Sequence, residues 1–228
     1  MTQLYNPEGY QQHQLWSLGL SAILTQVNSQ RHDVLLHDDA ETFSRILSGW
    51  WDIIDRKTYF ENVQWLVEQG QRQVFNSLFR VQMLVPEHEW RFTAKTLQQQ
   101  NPKQYQREML VRHYRSVIGS GGIAAWDFGR VTSLARMAAT CGYISEQEAW
   151  DEIYKQANAV QKVFSNWFEY GHSYLIGRQF AMGNLDDEKG KSTIAITQRL
   201  LTTDDSPWCR HPQFSQSTSL SAVGETLQ

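Results

Sequence analysis

Apolar residues return at three- and four-residue intervals along most of the chain, and strand-like alternation is almost absent. The pattern predicts helices nearly throughout. A first helix covers about residues 11–28, with Leu15, Leu18, Ala22 and Val27 on its apolar positions. After the polar loop "SQRHDVLLHDD", Asp39 caps a second helix over Phe43, Ile46, Leu47, Trp50 and Trp51. Asp55 caps a third, which ends at Gly70. A fourth, "RQVFNSLFRVQML", stops before Pro86, and a fifth runs to about Gln100. Asn101-Pro102 starts a sixth that reaches about Ile118. The loop "GSGG" separates it from a seventh helix, which Gly142 closes. Ser145 and Glu148 form a capping box. An eighth, long helix then runs to Gly183, with Gly171 as the point where it bends or splits. A short helix, "STIAITQRLL", precedes "TTDDSPWCRHP". The expectation is an all-α bundle of about eight or nine helices in a single domain over residues 1–212. A Ser/Thr-rich loose tail follows at 213–228.

The seventh helix departs from the simple pattern. On a wheel at about 100° per residue, Asp127 and Arg130 fall inside the broad apolar face. Arg136 falls on the opposite arc, with Gly129, Thr132, Ser133 and Thr140, and is expected in solvent. A lone buried charge is too costly to persist, so Asp127 and Arg130, three residues apart, are expected to meet. If the eighth helix is unbroken, Arg178 shares the apolar face of Trp150, Ile153, Val160, Phe164 and Trp167. Two guanidiniums beside one carboxylate leave surplus positive charge. Backbone carbonyls, another carboxylate or an anionic ligand would absorb it, and the planar arginine fork suits carboxylate or phosphate.

Composition narrows the classes. The chain has 228 residues, formal net charge −3, and nine Trp, nine Tyr and ten Phe. That balance argues against general nucleic-acid binding, which needs a basic footprint. The aromatic rings are assigned to the core. Cys141 and Cys209 are too few for a disulfide framework. The N-terminal stretch lacks a secretory pattern, and no run approaches the length of a membrane span. These features lead to the expectation of a cytoplasmic protein with no membrane association.

The segments "AAWDFGR", "CGYISEQEAWDEI", "SNWFEYGHSYLIGRQF" and "SPW" resemble the bacterial family catalogued as domain of unknown function 1266. The family pattern falls on Trp126, Asp127, Gly129 and Arg130, then Gly142, Tyr143, Glu148 and Ala149. It continues on Trp167, Tyr174, Gly177 and Arg178, and Ser206, Pro207 and Trp208 match a late element. The strongest match covers about residues 123–183. The resemblance implies an α-helical bacterial protein and carries no activity.

Other candidate chemistry is thin. No histidine pair has metal-ligand spacing with a supporting carboxylate. His32, His37, Asp38 and Asp39 read as a hydrophilic loop. The "CRH" of Cys209 to His211 lacks the remaining ligands of a zinc site. "GSGG" follows no strand and lacks a P-loop lysine, so it reads as a hinge. No cofactor and no metal are implied. The leading expectation is a non-enzymatic binding or protein-interaction module with another protein as partner. The alternative is an enzyme or sensor that binds a small anionic ligand at Asp127, Arg130 and Arg178, with Trp126, Tyr143, Trp167 and Tyr174 as the surrounding aromatic shell.

Overall fold

A computed structural model describes residues 5–183 and 187–214. Among them the chain is entirely helical apart from turns and loops. The helices are α1 (Gln12–Leu18), α2 (Ala22–Val27), α3 (Ala40–Trp51), α4 (Arg56–Glu68), α5 (Gly70–Leu84), α6 (Glu87–Gln100) and α7 (Pro102–Tyr114). They continue with α8 (Ala124–Thr140), α9 (Glu146–Val163), α10 (Trp167–Met182), α11 (Glu188–Thr202) and α12 (Pro207–Arg210). The all-α bundle is as expected, with nine helices of 12 residues or more. Most of the 213–228 tail lies outside the described residues.

Caps read from the sequence hold in place. Asp39, Asp55, Asn101 and Ser145 each accept the N3 backbone N–H of the helix they start. Two expected helices are broken. The first splits at a 3₁₀ turn, Gly19–Ser21, between α1 and α2. The eighth splits into α9 and α10, because Phe164 takes an extended conformation and Asn166 opens a new helix by capping Glu169 N–H. Gly171, the expected bend, lies inside α10. There its missing side chain makes room for Trp208: a Cβ would sit 3.2 Å from Trp208 Cζ3.

Helix α8 is the axis of the fold. It packs against α9, α10, α4, α3, α5, α2 and the 3₁₀ turn. Of its 17 residues, 14 are buried, so it has no wet face. One core cluster joins Leu18, Phe43, Tyr59 and Leu134; a second joins Trp16, Trp167, Tyr170 and Trp208; a third joins Phe75, Val111, Ile176 and Phe180. Trp167 and Trp208 stack with centroids 5.2 Å apart.

Helices α5 to α7 form an arm. Helix α6 packs mainly on α7 and buries only Trp90, which stacks on Tyr105. The arm is locked by Arg112. Its Nη1 donates to Gln82 Oε1 and Val85 O, its Nη2 to Glu87 Oε2, and its guanidinium lies over Trp90.

Candidate functional site

Asp127, Arg130 and Arg178 are held by neighbouring elements, but each is neutralised in a different way. Asp127 is 0% exposed. Its carboxylate accepts Gln71 N–H at 3.2 Å and Arg72 N–H at 3.0 Å, and so caps α5 from another helix. Arg72 Nη1 adds a 3.4 Å contact and also donates to Leu66 O, while Nη2 donates to Val67 O. The acid partner of Arg72 is therefore Asp127, and the expected hydrogen-bonded pair of Asp127 with Arg130 does not form. Burial pushes the Asp127 carboxyl above its ordinary range, against the lowering pull of Arg72 and the two amides. Gly70 permits the approach: its φ is +44°, and a Cβ there would stand 2.4 Å from Asp127 Oδ2.

Arg130 is half-buried between two indoles. Its guanidinium carbon lies 4.2 Å from the Trp51 ring centroid and 4.8 Å from that of Trp126. Among the described residues it has no hydrogen-bond acceptor, and it feels Tyr174 and Asp127 through space. Arg178 is buried and donates to Asp187 Oδ1 at 3.2 Å, at the start of α11. Tyr174 lies between the two arginines electrostatically. Their charges lower its pKa while burial raises it further, and burial wins. The α9–α10 break places Arg178 on a separate helix from the α9 apolar face.

The expected aromatic shell divides. Trp126 meets Tyr174 edge-on at 5.1 Å and belongs to this region. Trp167 belongs to the second core cluster, donating Nε1–H to His211 O, and Tyr143 hydrogen-bonds Ser44 Oγ beside the other end of α8.

Arg136 overturns the wheel. Expected in solvent, it is 1% exposed and among the largest fully buried side chains. Its Nη1 donates to Ser21 Oγ and Thr25 Oγ1, and its Nη2 to Arg31 O and Val34 O. Desolvation lowers its pKa to about 10. The sequence held one signal for this cage: Ser21 and Thr25, small hydroxyls four residues apart in an otherwise apolar helix.

Among the described residues no group of three or more His, Cys, Asp or Glu side chains is placed to hold a metal. Cys141 and Cys209 are free thiols. No described helix is long and apolar enough to cross a membrane.

The fold and its central helix thus define an all-α protein whose internal charges are met by its own backbone, hydroxyls, aromatic rings and acid–base pairs. Residues 46–212 match the family described as "Protein of unknown function (DUF1266)", and the chain belongs to that family. It is 28% identical over 142 residues to "Uncharacterized protein YbeR" of Escherichia coli (strain K12); the match covers 62% of this chain and 59% of that protein. No solved structure matches.

Proposed function

We propose that the protein is a non-enzymatic binding module whose arm, α5 to α7, docks an acidic amphipathic segment of a partner protein. The observation that carries this reading is the coincidence of apolar exposure with basic charge on the arm. Val74, Val81 and Leu84 share one outward stripe of α5 at helical spacing. Val81 is 57% and Leu84 84% exposed, and Phe92 on α6 is 84% exposed. Scattered exposed apolar residues are ordinary, but a stripe along one helix face supports an interaction surface. Residues 70–115 carry eight lysines and arginines against three glutamates, while the rest of the chain carries 13 against 21. An acidic partner is attracted to the arm and repelled elsewhere.

The test uses two helical peptides of equal length with the same leucine stripe, one glutamate-rich and one lysine-rich. Fluorescence anisotropy is expected to show binding of the acidic peptide alone, weakening with salt. Leu84→Ser with Phe92→Ser is expected to reduce affinity at least about tenfold, near 1.4 kcal/mol. Equal binding of both peptides, or none of the acidic one, would refute the reading.

One observation favours a second reading, a small anionic ligand on Arg130. The guanidinium is held flat by Trp51 and Trp126 and offers its fork without an acceptor among the described residues. A carboxylate or phosphate fits that fork bidentately. Asp127 and Arg178 are left out of such a site, since both are already bonded. Thermal shift against nucleotides, sugar phosphates and carboxylates tests it, with Arg130→Gln as control. A shift of the same size in the variant would sink it.

A further inference from the structure

Two segments that read as unremarkable in the sequence, the hydrophilic loop with His32 and the incomplete zinc motif with His211, meet in space. Together with Tyr5 they line a cleft of about 380 Å³. Its walls are ordered by specific bonds. The Tyr5 hydroxyl and His211 Nε2 are 2.7 Å apart. Arg31 forks onto Asp33, Nε to Oδ1 at 3.0 Å and Nη2 to Oδ2 at 2.7 Å, so one of the two acids lining the cleft is already neutralised, the other being Asp205. Arg136 holds the same loop by its Arg31 and Val34 carbonyls.

Three groups remain uncommitted. His32 Nε2 meets Gln26 Oε1 at 3.1 Å; an amide oxygen only accepts, so Nε2 carries the proton and Nδ1 is a bare acceptor. That Nδ1 is buried without a partner among the described residues, and burial with the nearby Arg136 charge keeps the ring neutral at pH 7. His211 is 8% exposed, and its Nδ1 is likewise buried and unpartnered. Arg210 lies over the Tyr5 ring, 4.4 Å from the centroid, with Nε on Asp205 O at 2.9 Å. Its two Nη groups have no acceptor among the described residues. The cleft therefore pairs a pre-oriented guanidinium fork with two neutral imidazoles, each short of one hydrogen bond.

We propose that this cleft binds a small hydroxylated organic anion, its carboxylate or phosphate on the Nη groups of Arg210 and its hydroxyls on the ring nitrogens of His32 and His211. The stacked, planar fork suits either anion. A buried ring nitrogen without a partner is destabilising, and a ligand hydroxyl relieves it. The cleft's volume falls within the lower range of small-molecule pockets, about 300–1,000 Å³. Among the described residues no three His, Cys, Asp or Glu side chains gather to hold a metal. The inference is independent of the arm and of Arg130.

Isothermal titration of the full chain with gluconate, glucose 6-phosphate, glucose and inorganic phosphate tests it. At least one hydroxylated anion is expected to bind about tenfold more tightly than glucose and inorganic phosphate. Gluconate alone would assign a carboxylate ligand, glucose 6-phosphate alone a phosphate, and either supports the proposal. Arg210→Gln, at an exposed position, is expected to keep the melting temperature and weaken that binding about tenfold or more. His32→Leu is expected to weaken it too, and Arg130→Gln to leave it unchanged. Absence of binding by both anions, equal binding of inorganic phosphate, or an unchanged affinity in Arg210→Gln would overturn it.

Discussion

Arg136→Leu separates two opposing effects in the buried cage. Arg136 donates at 2.9 Å to Ser21 Oγ and at 2.7 Å to each of Thr25 Oγ1, Arg31 O and Val34 O. All four acceptors are neutral. Desolvation disfavours the charge and lowers the pKa to about 10, so removing it relieves a real cost. Against that relief stand the acceptors left behind. The hydroxyls lose little: Ser21 Oγ and Thr25 Oγ1 are 3.2 Å apart, and they donate to Leu18 O and Ser21 O respectively. The carbonyls of Arg31 and Val34 each lose the donor that Nη2 supplies, and a buried acceptor left short of its donor costs about 1–3 kcal/mol.

The net expectation is a loss of about 2–4 kcal/mol after the desolvation relief is set against it. For a chain of this size that lowers Tm by about 5–15 °C. Arg136→Lys is expected to rescue little. One ammonium serves either the hydroxyl pair or the carbonyl pair, but lacks the fork that reaches both. Urea unfolding followed by far-ultraviolet circular dichroism measures both variants. A loss below about 1 kcal/mol in Arg136→Leu, or wild-type stability in Arg136→Lys, would refute the argument that geometry outweighs charge here.

Asp127→Ala strips the α5 start of its cap and leaves Arg72 without its acid, so a loss of about 3–5 kcal/mol is expected. Asp127→Asn, which keeps an acceptor, should cost about 1–2 kcal/mol in the same urea assay. Gly70→Ala meets both a φ of +44° and the Asp127 carboxylate at 2.4 Å, and should cost more than about 2 kcal/mol. Gly49→Ala, inside α3 with open space around it, should instead be neutral or stabilise by about 0.5–1 kcal/mol. His32 and His37 titrate near 4 and 3 when folded, against about 6.5 unfolded. Their folded pKa values are depressed and the charged form is the protonated one, so the unfolded chain takes up protons first as pH falls. Their contribution is complete above about pH 6.5 and is lost on the way down to about pH 4 for His32 and pH 3 for His37, at about 1–2 kcal/mol per histidine by pH 5. Urea midpoints at pH 7.5 and 5 should differ less in His32→Gln and His37→Gln than in wild type.

Much of the bundle was legible because caps are local chemistry. Asp39, Asp55, Asn101 and Ser145 each bond a backbone N–H three residues on, and that spacing is written in the chain. The α9–α10 break was written there too: Asn166 followed by Glu169 is a cap signal, and Glu169 Oε2 accepts Ser165 N–H. The strong apolar periodicity across the junction masked it. The 3₁₀ turn at Gly19–Ser21 has a tertiary cause. Gly19 lies against Trp167 and Trp208, and its carbonyl accepts Trp208 Nε1–H at 2.8 Å, from a residue 189 positions away.

The three charges of α8 show why the candidate site was only half legible. A helical wheel assigns one arc to the core and one to water, an assumption that fails for a helix ringed by seven elements. Counting charges by sign fails next. Arg130, Arg178 and Asp127 leave surplus positive charge on paper, to be absorbed by backbone carbonyls, another carboxylate or an anionic ligand, and Arg178 does take another carboxylate, Asp187. Asp127 instead neutralises the amide end of α5, Arg136 dissolves in hydroxyls and carbonyls, and Arg130 rests on indole faces. Apart from Arg72 beside Asp127 these partners carry no formal charge, so sequence arithmetic on acids and bases sees little of them. Donor geometry can: a guanidinium points to a ligand where its N–H groups lack oxygens, whatever the local sum of charges. By that criterion Arg178 drops out, bonded to Asp187, while Arg130, between its tryptophans, and Arg210, over Tyr5, carry N–H groups without an acceptor among the described residues.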